Sequence, residues 1–128
     1  MTVVATTTTT TTKQRGDAAE DAALAHLEAA GLRLVTRNYR TPGRGGGEID
    51  LILRDPRDAT LVFVEVRQRA SDSHGGAGGS ITGVKRRRIV FAARHYLMDL
   101  RVLPPCRFDV VLVEAGRIEW LQGAFDAG

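Results

Sequence analysis

The clearest hydrophobic pattern in the chain is a pair of apolar runs separated by a short polar turn. The first run covers Glu48 to Arg54, the second covers Leu61 to Arg67, and Pro56 lies in the turn between them. Two such runs around a turn predict an antiparallel β-hairpin. If the turn is centred between positions 57 and 58, residues whose numbers sum to 115 face each other, which places Asp50 opposite Glu65.

These two carboxylates interrupt strands that are otherwise apolar. Like charges that face each other weaken a sheet, and carboxylates gathered in an apolar setting usually hold a cation. The alternative is that each forms an ion pair with a nearby arginine, either Arg54 or Arg67 for Asp50 and either Arg37 or Arg67 for Glu65. The pattern alone leaves both interpretations open.

The remaining periodicities predict two helices and three more strands. An alanine-rich segment ends at Gly31, and a later segment repeats apolar residues every three to four positions, as helices do. The predicted elements are a helix at 15–30, strands at 32–40, 48–54 and 61–67, a helix at 81–100, and strands at 107–114 and 118–121. The first three strands should form an antiparallel meander, and the second helix should cross over to a parallel fourth strand. The expected fold class is α/β, with a mixed five-stranded sheet and a helix on each face.

Each predicted helix carries one charged residue on its apolar stripe. Glu20 precedes Leu24 by four residues and Leu27 by seven, and Lys85 precedes Ile89 by four. Both side chains are therefore expected to reach the sheet near the hairpin carboxylates. The alternative for Glu20 is a helix-start residue favoured by the helix dipole. The predicted core stripe of the second helix, capped by Ser80 or Thr82, is Ile89, Ala92, Ala93, Tyr96, Leu97 and Leu100.

Length and composition indicate how the chain is divided and where in the cell it is expected to lie. The 128 residues fit one domain, which we place at 15–122 between a disordered threonine-rich tail at 1–14 and a C-terminal tail at 123–128. No apolar run approaches the roughly 20 residues of a membrane span. The single cysteine excludes an internal disulfide and fits a cytoplasmic location. We expect a flexible loop at 41–47 and a mobile, glycine-rich loop at 68–80, either a lid or a plain surface loop.

Charge points to an anionic partner. The formal net charge is +3 and the pI is about 9.6. The alternative to a binding surface is a solvated basic face. The candidate nucleic-acid-binding residues are Arg40, Arg44, Lys85, Arg86, Arg87 and Arg88.

The charged residues that converge on the hairpin fit magnesium chemistry. Glu20, Asp50 and Glu65 would supply oxygen ligands, and Arg67 and Lys85 would supply cations. Mg²⁺ prefers one or two carboxylates together with water and phosphate oxygens. The histidines and the cysteine do not follow zinc-site spacing, so we do not expect zinc.

The ordered motifs resemble the PD-(D/E)xK restriction-endonuclease-like superfamily and, more narrowly, the bacterial YraN-type family. The matching pieces are Gly16 with Glu20, Arg37–Arg40, Gly47–Ile52, Phe63–Val66, Lys85 with Arg88 and Ile89, and Arg107–Val111. The resemblance implies a restriction-endonuclease-like α-β-β-β-α-β core. It also implies metal binding by Asp50 and Glu65, with Glu20 as the further ligand of Holliday-junction-resolvase-like members. Mg²⁺ or Mn²⁺ would be the cofactor and DNA the partner, in repair or recombination, and a homodimer is expected because resolvase-like members are commonly dimers.

One position departs from the superfamily pattern. The motif lysine, two residues after the glutamate, is Arg67 here. Arginine keeps its proton and cannot assist water activation as a desolvated lysine can, although Lys85 could supply the amine. Three functions therefore stay open: a structure-specific nuclease, a nucleic-acid-binding module with impaired catalysis, and a protein-interaction scaffold.

Overall fold

The part of the chain that the structure describes folds into two helices and five strands in the predicted order. The computed structural model describes residues 12–68 and 81–127, of which 12–15 are described by their backbone alone. The elements are α1 (Thr12–Ala29), β1 (Arg33–Arg40), β2 (Glu48–Asp55), β3 (Thr60–Gln68), α2 (Gly83–Leu97), β4 (Cys106–Glu114) and β5 (Arg117–Phe125).

The strands form one mixed sheet in the order β1-β2-β3-β4-β5. Neighbouring strands are antiparallel except for β3 and β4, which are parallel and are connected through α2. The β2–β3 register runs from Asp55↔Thr60 to Leu51↔Val64. These pairs sum to 115, so the predicted turn centre and hairpin register are confirmed, as is the predicted fold class.

Side-chain alternation along the strands divides the core into two layers. On β3, Val62 and Val64 pack in a cluster with Leu27 of α1. Leu61 and Phe63 point to the other side and pack with Ile89 of α2. Alternate residues of a strand face opposite sides, and both faces of β3 are buried, which explains its nearly continuous apolar sequence.

The alternation breaks near the start of β2. Ile49 and Ile52 both belong to the cluster on the α2 side although they are three positions apart, a spacing that would place them on opposite faces of a regular strand. On the paired strand, Asn38 has a positive φ of 52°, which asparagine tolerates better than most residues. The following residue, Tyr39, packs against the cluster on the α2 side. The backbone of both strands is therefore irregular beside Asp50.

Several predicted boundaries differ from the structure. Helix α1 begins at Thr12 rather than residue 15, since Lys13 and Gln14 favour helix and no proline stops it. Helix α2 ends at Leu97, so the prediction that Leu100 belongs to its core stripe is wrong. The Leu100 N–H donates to the Leu97 carbonyl in a tighter turn, and its side chain is exposed.

The last strand is longer than predicted. It runs to Phe125 instead of stopping at Leu121, and so extends past the predicted domain end at 122. The Gly123 N–H donates to Asp109 Oδ1 (2.9 Å), which holds the extended part of the strand against β4.

Of the three segments predicted to be flexible, the structure describes the loop at 41–47 in full. Residues 1–11 of the predicted tail and 69–80 of the predicted loop lie outside the described residues. The loop at 41–47 is closed at its base, because the Thr41 N–H donates to the Gly47 carbonyl (3.0 Å) and the Gly47 N–H donates to Thr41 Oγ1 (2.7 Å). Neither α1 nor α2 is long and apolar enough to cross a membrane.

Candidate metal and nucleic-acid site

The sheet splits between β2 and β3, and Asp50 and Glu65 lie at this split. The paired residues of the hairpin end at Leu51↔Val64, while β2 continues to Glu48 and β3 continues to Gln68 against their other neighbours. Beyond the split, Asp50 Oδ2 accepts a hydrogen bond from the Val66 N–H at 2.8 Å. A carboxylate thus replaces the backbone acceptor that a continued ladder would have supplied.

Glu65 lies close enough to Asp50 to affect the ionisation of Asp50. Burial raises the pKa of Asp50 to about 7, and the charge of Glu65 and a side-chain hydrogen bond to it act in the same direction. The hydrogen bond from Val66 and the charge of Lys85 oppose the rise. The Glu65 side chain is only 4% exposed. For Asp50, partial burial beside a second carboxylate favours either a retained proton or a bound cation.

Lys85 is the cation that the fold brings to this pair. Its Nζ lies 2.9 Å from Glu65 Oε2, and its backbone N–H donates to Oγ1 of Thr82, the N-cap of α2, at 3.1 Å. The cap fixes the first turn of the helix beside the sheet. The sequence-based expectation that Lys85 reaches the hairpin from α2 therefore agrees with the structure, and the partner seen on Glu65 is this lysine rather than Arg37.

A cleft of about 270 Å³ opens beside Glu65. Arg67, Gln68, Thr82 and Lys85 contribute to its lining. Arg67, which stands at the position of the motif lysine, therefore borders the same space as Lys85. Both cations could face an anionic group that enters the cleft.

Glu20 approaches from the opposite layer but has another partner. Its Oε1 accepts a hydrogen bond from Arg37 Nη2 at 3.3 Å, and Arg37 Nη1 lies 2.9 Å from Asp21 Oδ1. Burial raises the pKa of Glu20, and the charge of Asp50 adds to the rise. Across 12–68 and 81–127, no three His, Cys, Asp or Glu side chains are gathered as a ready metal cage. The structure thus brings Asp50, Glu65 and Lys85 together and leaves Glu20 nearby on Arg37.

Sequence reasoning missed how the glycine-rich loop is fixed against α2. A Cβ on Gly47 would meet the Arg88 carbonyl oxygen at 1.9 Å, so only glycine allows this approach. Arg88 Nε also donates to the Gly46 carbonyl at 3.3 Å. The run of glycines before β2 was the available signal, and we interpreted it as flexibility. These contacts fix the start of β2, and hence Asp50, relative to the helix that carries Lys85.

The other predicted nucleic-acid-binding residues surround this loop and the start of α2. Arg40 and Arg88 line a polar cleft of about 290 Å³ with the loop glycines. Arg40 Nε also lies 3.3 Å from Glu48 Oε2. Arg44, Arg86 and Arg87 are exposed. The basic residues therefore form separate groups around the start of α2 rather than one continuous cluster.

Comparison with known proteins shows the family of this chain. The model of the uncharacterised protein family UPF0102 matches residues 19–113, about three quarters of the chain. The chain belongs to the UPF0102 family. A UPF0102 protein of Paracidovorax citrulli is 75% identical over 113 residues, which cover 88% of this chain and 83% of the relative. One from Albidiferax ferrireducens is 72% identical over 115 residues, covering 90% and 89%.

The family assignment agrees with the YraN-type resemblance. A more distant UPF0102 protein, from Methylibium petroleiphilum, is 63% identical over 118 residues that cover 90% of this chain and 96% of the relative. The matched range of the UPF0102 chain includes Glu20, Asp50, Glu65 and Lys85. Because UPF0102 is an uncharacterised family, the chemistry of this chain has to be argued from its site.

Proposed function

We propose that this UPF0102 chain is a Mg²⁺-dependent nuclease that hydrolyses phosphodiester bonds in branched or processed DNA, with Mn²⁺ as an alternative cofactor. The observation that carries the proposal is the split between β2 and β3, where the carboxylates of Asp50 and Glu65 meet and Lys85 Nζ lies 2.9 Å from Glu65. Such a site concentrates negative charge in a nearly dry setting, next to a cleft lined by two cations.

The donor set fits magnesium. Asp50 and Glu65 would hold the ion, and a phosphate oxygen and water would complete a coordination that Mg²⁺ favours. Glu20 would add a third carboxylate if it left Arg37. When bound, the metal would supply Lewis-acid activation of water and neutralise charge on the phosphodiester.

The protein's own cations have distinct roles in this proposal. Lys85 and Arg67 would stabilise negative charge that develops on the phosphate. Of these two cleft-lining residues, Lys85 is the one whose amine can exchange a proton, because the arginine stays charged. Arg40, Arg44 and the arginines at 86–88 would bind the DNA backbone. Lys85, which lies on α2, would therefore perform the role that the superfamily assigns to a lysine at the position of Arg67 on β3.

Cleavage assays test the proposal directly. Purified protein would be incubated with flap, junction and linear DNA in Mg²⁺, Mn²⁺ or EDTA, alongside Asp50→Ala, Lys85→Gln and the exposed control Asp99→Ala. We expect metal-dependent cleavage that Asp50→Ala abolishes, that Lys85→Gln reduces and that the control retains. Cleavage that persists in Asp50→Ala would identify a contaminant and overturn the proposal.

Arg67 favours a second function, nucleic-acid binding with impaired catalysis. In that case the protein would bind DNA without cutting it, and neutralising four to five phosphates would give a log–log salt slope of about −4. Arg67→Lys would then be the variant that creates cleavage. Binding insensitive to salt would contradict both functions. A homodimer is a further prediction, which light scattering would test.

A further inference from the structure

The outer face of α2 carries an alternation of apolar and basic side chains. The residues lie at spacings of three, four, three and four positions, which place them on one side of a helix with about 3.6 residues per turn. All of them are exposed, and the buried residues Ile89, Ala92 and Ala93 face the sheet on the opposite side. We call the set the outer stripe, and it consists of Val84, Arg87, Phe91, Arg94 and Met98.

The outer stripe borders a cleft of about 500 Å³ between α2 and the end of β5. Arg86, Arg87 and Arg94 line this cleft together with Phe91 and one carboxylate, Asp126. Phe91 is 51% exposed although it is a large aromatic residue. A half-exposed ring among three arginines and one acid favours a ligand that is anionic and has a flat apolar part.

The edges of the cleft are held in place by local contacts. Arg94 Nη2 donates to the Ala127 carbonyl at 3.5 Å, and the Arg86 guanidinium carbon lies 5.8 Å from the centre of the Phe125 ring. Both contacts leave further N–H groups on the two guanidinium groups, each of which carries five. Phe125 and Ala127 thus orient the two arginines through uncharged groups, an aromatic ring and a backbone carbonyl, which leave the positive charges in place.

The basic run at the start of α2 connects this cleft to the carboxylate site. Lys85 reaches Glu65, Arg88 reaches the glycine-rich loop, and Arg86 and Arg87 point to the outer cleft. Successive residues of a helix point about 100° apart, so the side chains of a single turn reach the carboxylate site, the glycine-rich loop and the outer cleft. A strand that passes the carboxylates can therefore meet further basic side chains from the same helical turn on its way to the outer stripe.

We propose that the outer stripe binds an unpaired segment of nucleic acid, with a base stacked on Phe91 and phosphates on Arg87 and Arg94. The inference rests on the proposed nuclease function and deepens it by naming the substrate class, DNA with a single-stranded portion. Bases in a duplex are already stacked, so a ring on a convex helix can reach only an unpaired base. Alternating aromatic and arginine side chains are the chemistry that binds single strands without reading their sequence.

Variants at Phe91 test the stacking contact. The probe is a fluorescein-labelled oligothymidylate of about 16 nucleotides, near the upper end of such binding sites. Its affinity would be measured by fluorescence anisotropy in EDTA, where cleavage cannot interfere, beside a duplex of the same length. We expect Phe91→Ala and Phe91→Leu to weaken single-strand binding by about 5- to 150-fold. Duplex binding should hardly change, and Phe91→Trp should retain affinity and show fluorescence quenching on binding.

The matched variants separate the alternatives. Leu103→Ala removes another exposed apolar side chain, beyond the end of α2, and should bind as the wild type does. If Phe91→Leu binds the single strand as well as the wild type, or if all Phe91 variants do, stacking is refuted. If Phe91→Leu instead retains binding to an acidic helical peptide that Phe91→Ala loses, the stripe is a protein-docking surface and the inference fails. Thermal melting confirms that each variant is folded.

Failure of this inference differs from failure of the proposed function. If Asp50→Ala abolishes cleavage but Phe91 variants bind single strands normally, only the outer stripe is misassigned. If no metal-dependent cleavage exists but Phe91→Ala and Phe91→Leu lose single-strand binding, the stripe stands and the nuclease proposal falls.

Discussion

Replacing Asp50 with asparagine should stabilise the metal-free protein at neutral and alkaline pH. The pKa of Asp50 is about 7 in the folded protein against an ordinary value of 3.8, and this difference corresponds to roughly 4 kcal/mol. Burial and the adjacent Glu65 cause the rise, so ionising Asp50 costs the folded state this free energy. An asparagine is neutral at every pH. Its amide oxygen can still accept from Val66, and its NH₂ group can donate to Glu65.

The sign of the pH dependence follows from proton binding. Below the unfolded value of 3.8 both states hold the proton, so the contribution of Asp50 to stability is fully present. As pH rises from 3.8 towards about 7 the folded state binds more protons than the unfolded state, and the free energy of unfolding falls. Above that range the full penalty applies. The advantage of Asp50→Asn should therefore grow from near zero at about pH 4 to at most about 4 kcal/mol at about pH 8.

Urea denaturation in EDTA, followed by tryptophan fluorescence and circular dichroism, measures this difference. The control Asp99→Asn removes an exposed carboxylate and should show no comparable growth with pH. Mg²⁺ at 100 times its dissociation constant should add about 2.7 kcal/mol to the wild type, and nothing comparable to Asp50→Asn. If Asp50→Asn is less stable than the wild type at about pH 8, or if the difference is the same at both pH values, the reasoning is refuted.

Three further substitutions test how the fold is held. Gly47→Ala places a Cβ 1.9 Å from a carbonyl oxygen of α2, so it should lower the free energy of unfolding, measured by chemical denaturation, by at least about 1–3 kcal/mol. In the control Gly16→Ala the new Cβ meets no atom within 4 Å, and the change should raise the free energy of unfolding by about 0.5–1 kcal/mol because alanine favours helix. Equal effects of the two substitutions would contradict the close approach at Gly47. Asp109→Ala should destabilise the protein by about 2–5 kcal/mol and shift the emission of Trp120, whose Nε1 donates to Asp109 at 2.8 Å; an unchanged spectrum would count against this contact. The hydrogen bond from Arg57 lowers the pKa of Asp55 from 3.8 to about 2. The stability that this pairing contributes is present above pH 3.8 and is lost as the pH falls through about 2, and Asp55→Asn should remove it. A variant as stable as the wild type at neutral pH would show that the pairing with Arg57 contributes nothing.

Much of the fold follows from local patterns in the sequence. The alternation on either side of the turn fixed the hairpin register, because a shift of one residue would move every side chain of the strand to the other face. The preference of threonine for helix N-caps made Thr82 a candidate cap. The helical spacing of four positions before Ile89 placed Lys85 on the side of α2 that faces the sheet. Helix ends were less predictable, since Leu100 continues the apolar repeat but lies beyond the last helical turn.

The candidate site was predictable in its residues but not in its arrangement. Asp50 and Glu65 are conspicuous because charge in an apolar strand needs a compensating partner. Their separation from the ladder was not predictable, because it depends on how far β2 and β3 diverge to follow different neighbours. The choice between Lys85 and an arginine as the partner of Glu65 depends on where the crossover helix begins in space, which no local pattern records.

The sequence by itself determined which carboxylates would meet, since strand register is a local property of alternating side chains. Only the tertiary structure decided what surrounds them. The sheet splits at Leu51↔Val64, and there the charge of Asp50 raises the pKa of Glu20 from α1, while the charge of Lys85 from α2 lowers the pKa of Asp50. The physical reason is that charge interactions depend on distances across layers, and those distances are set by how both helices pack on the sheet rather than by spacing along the chain.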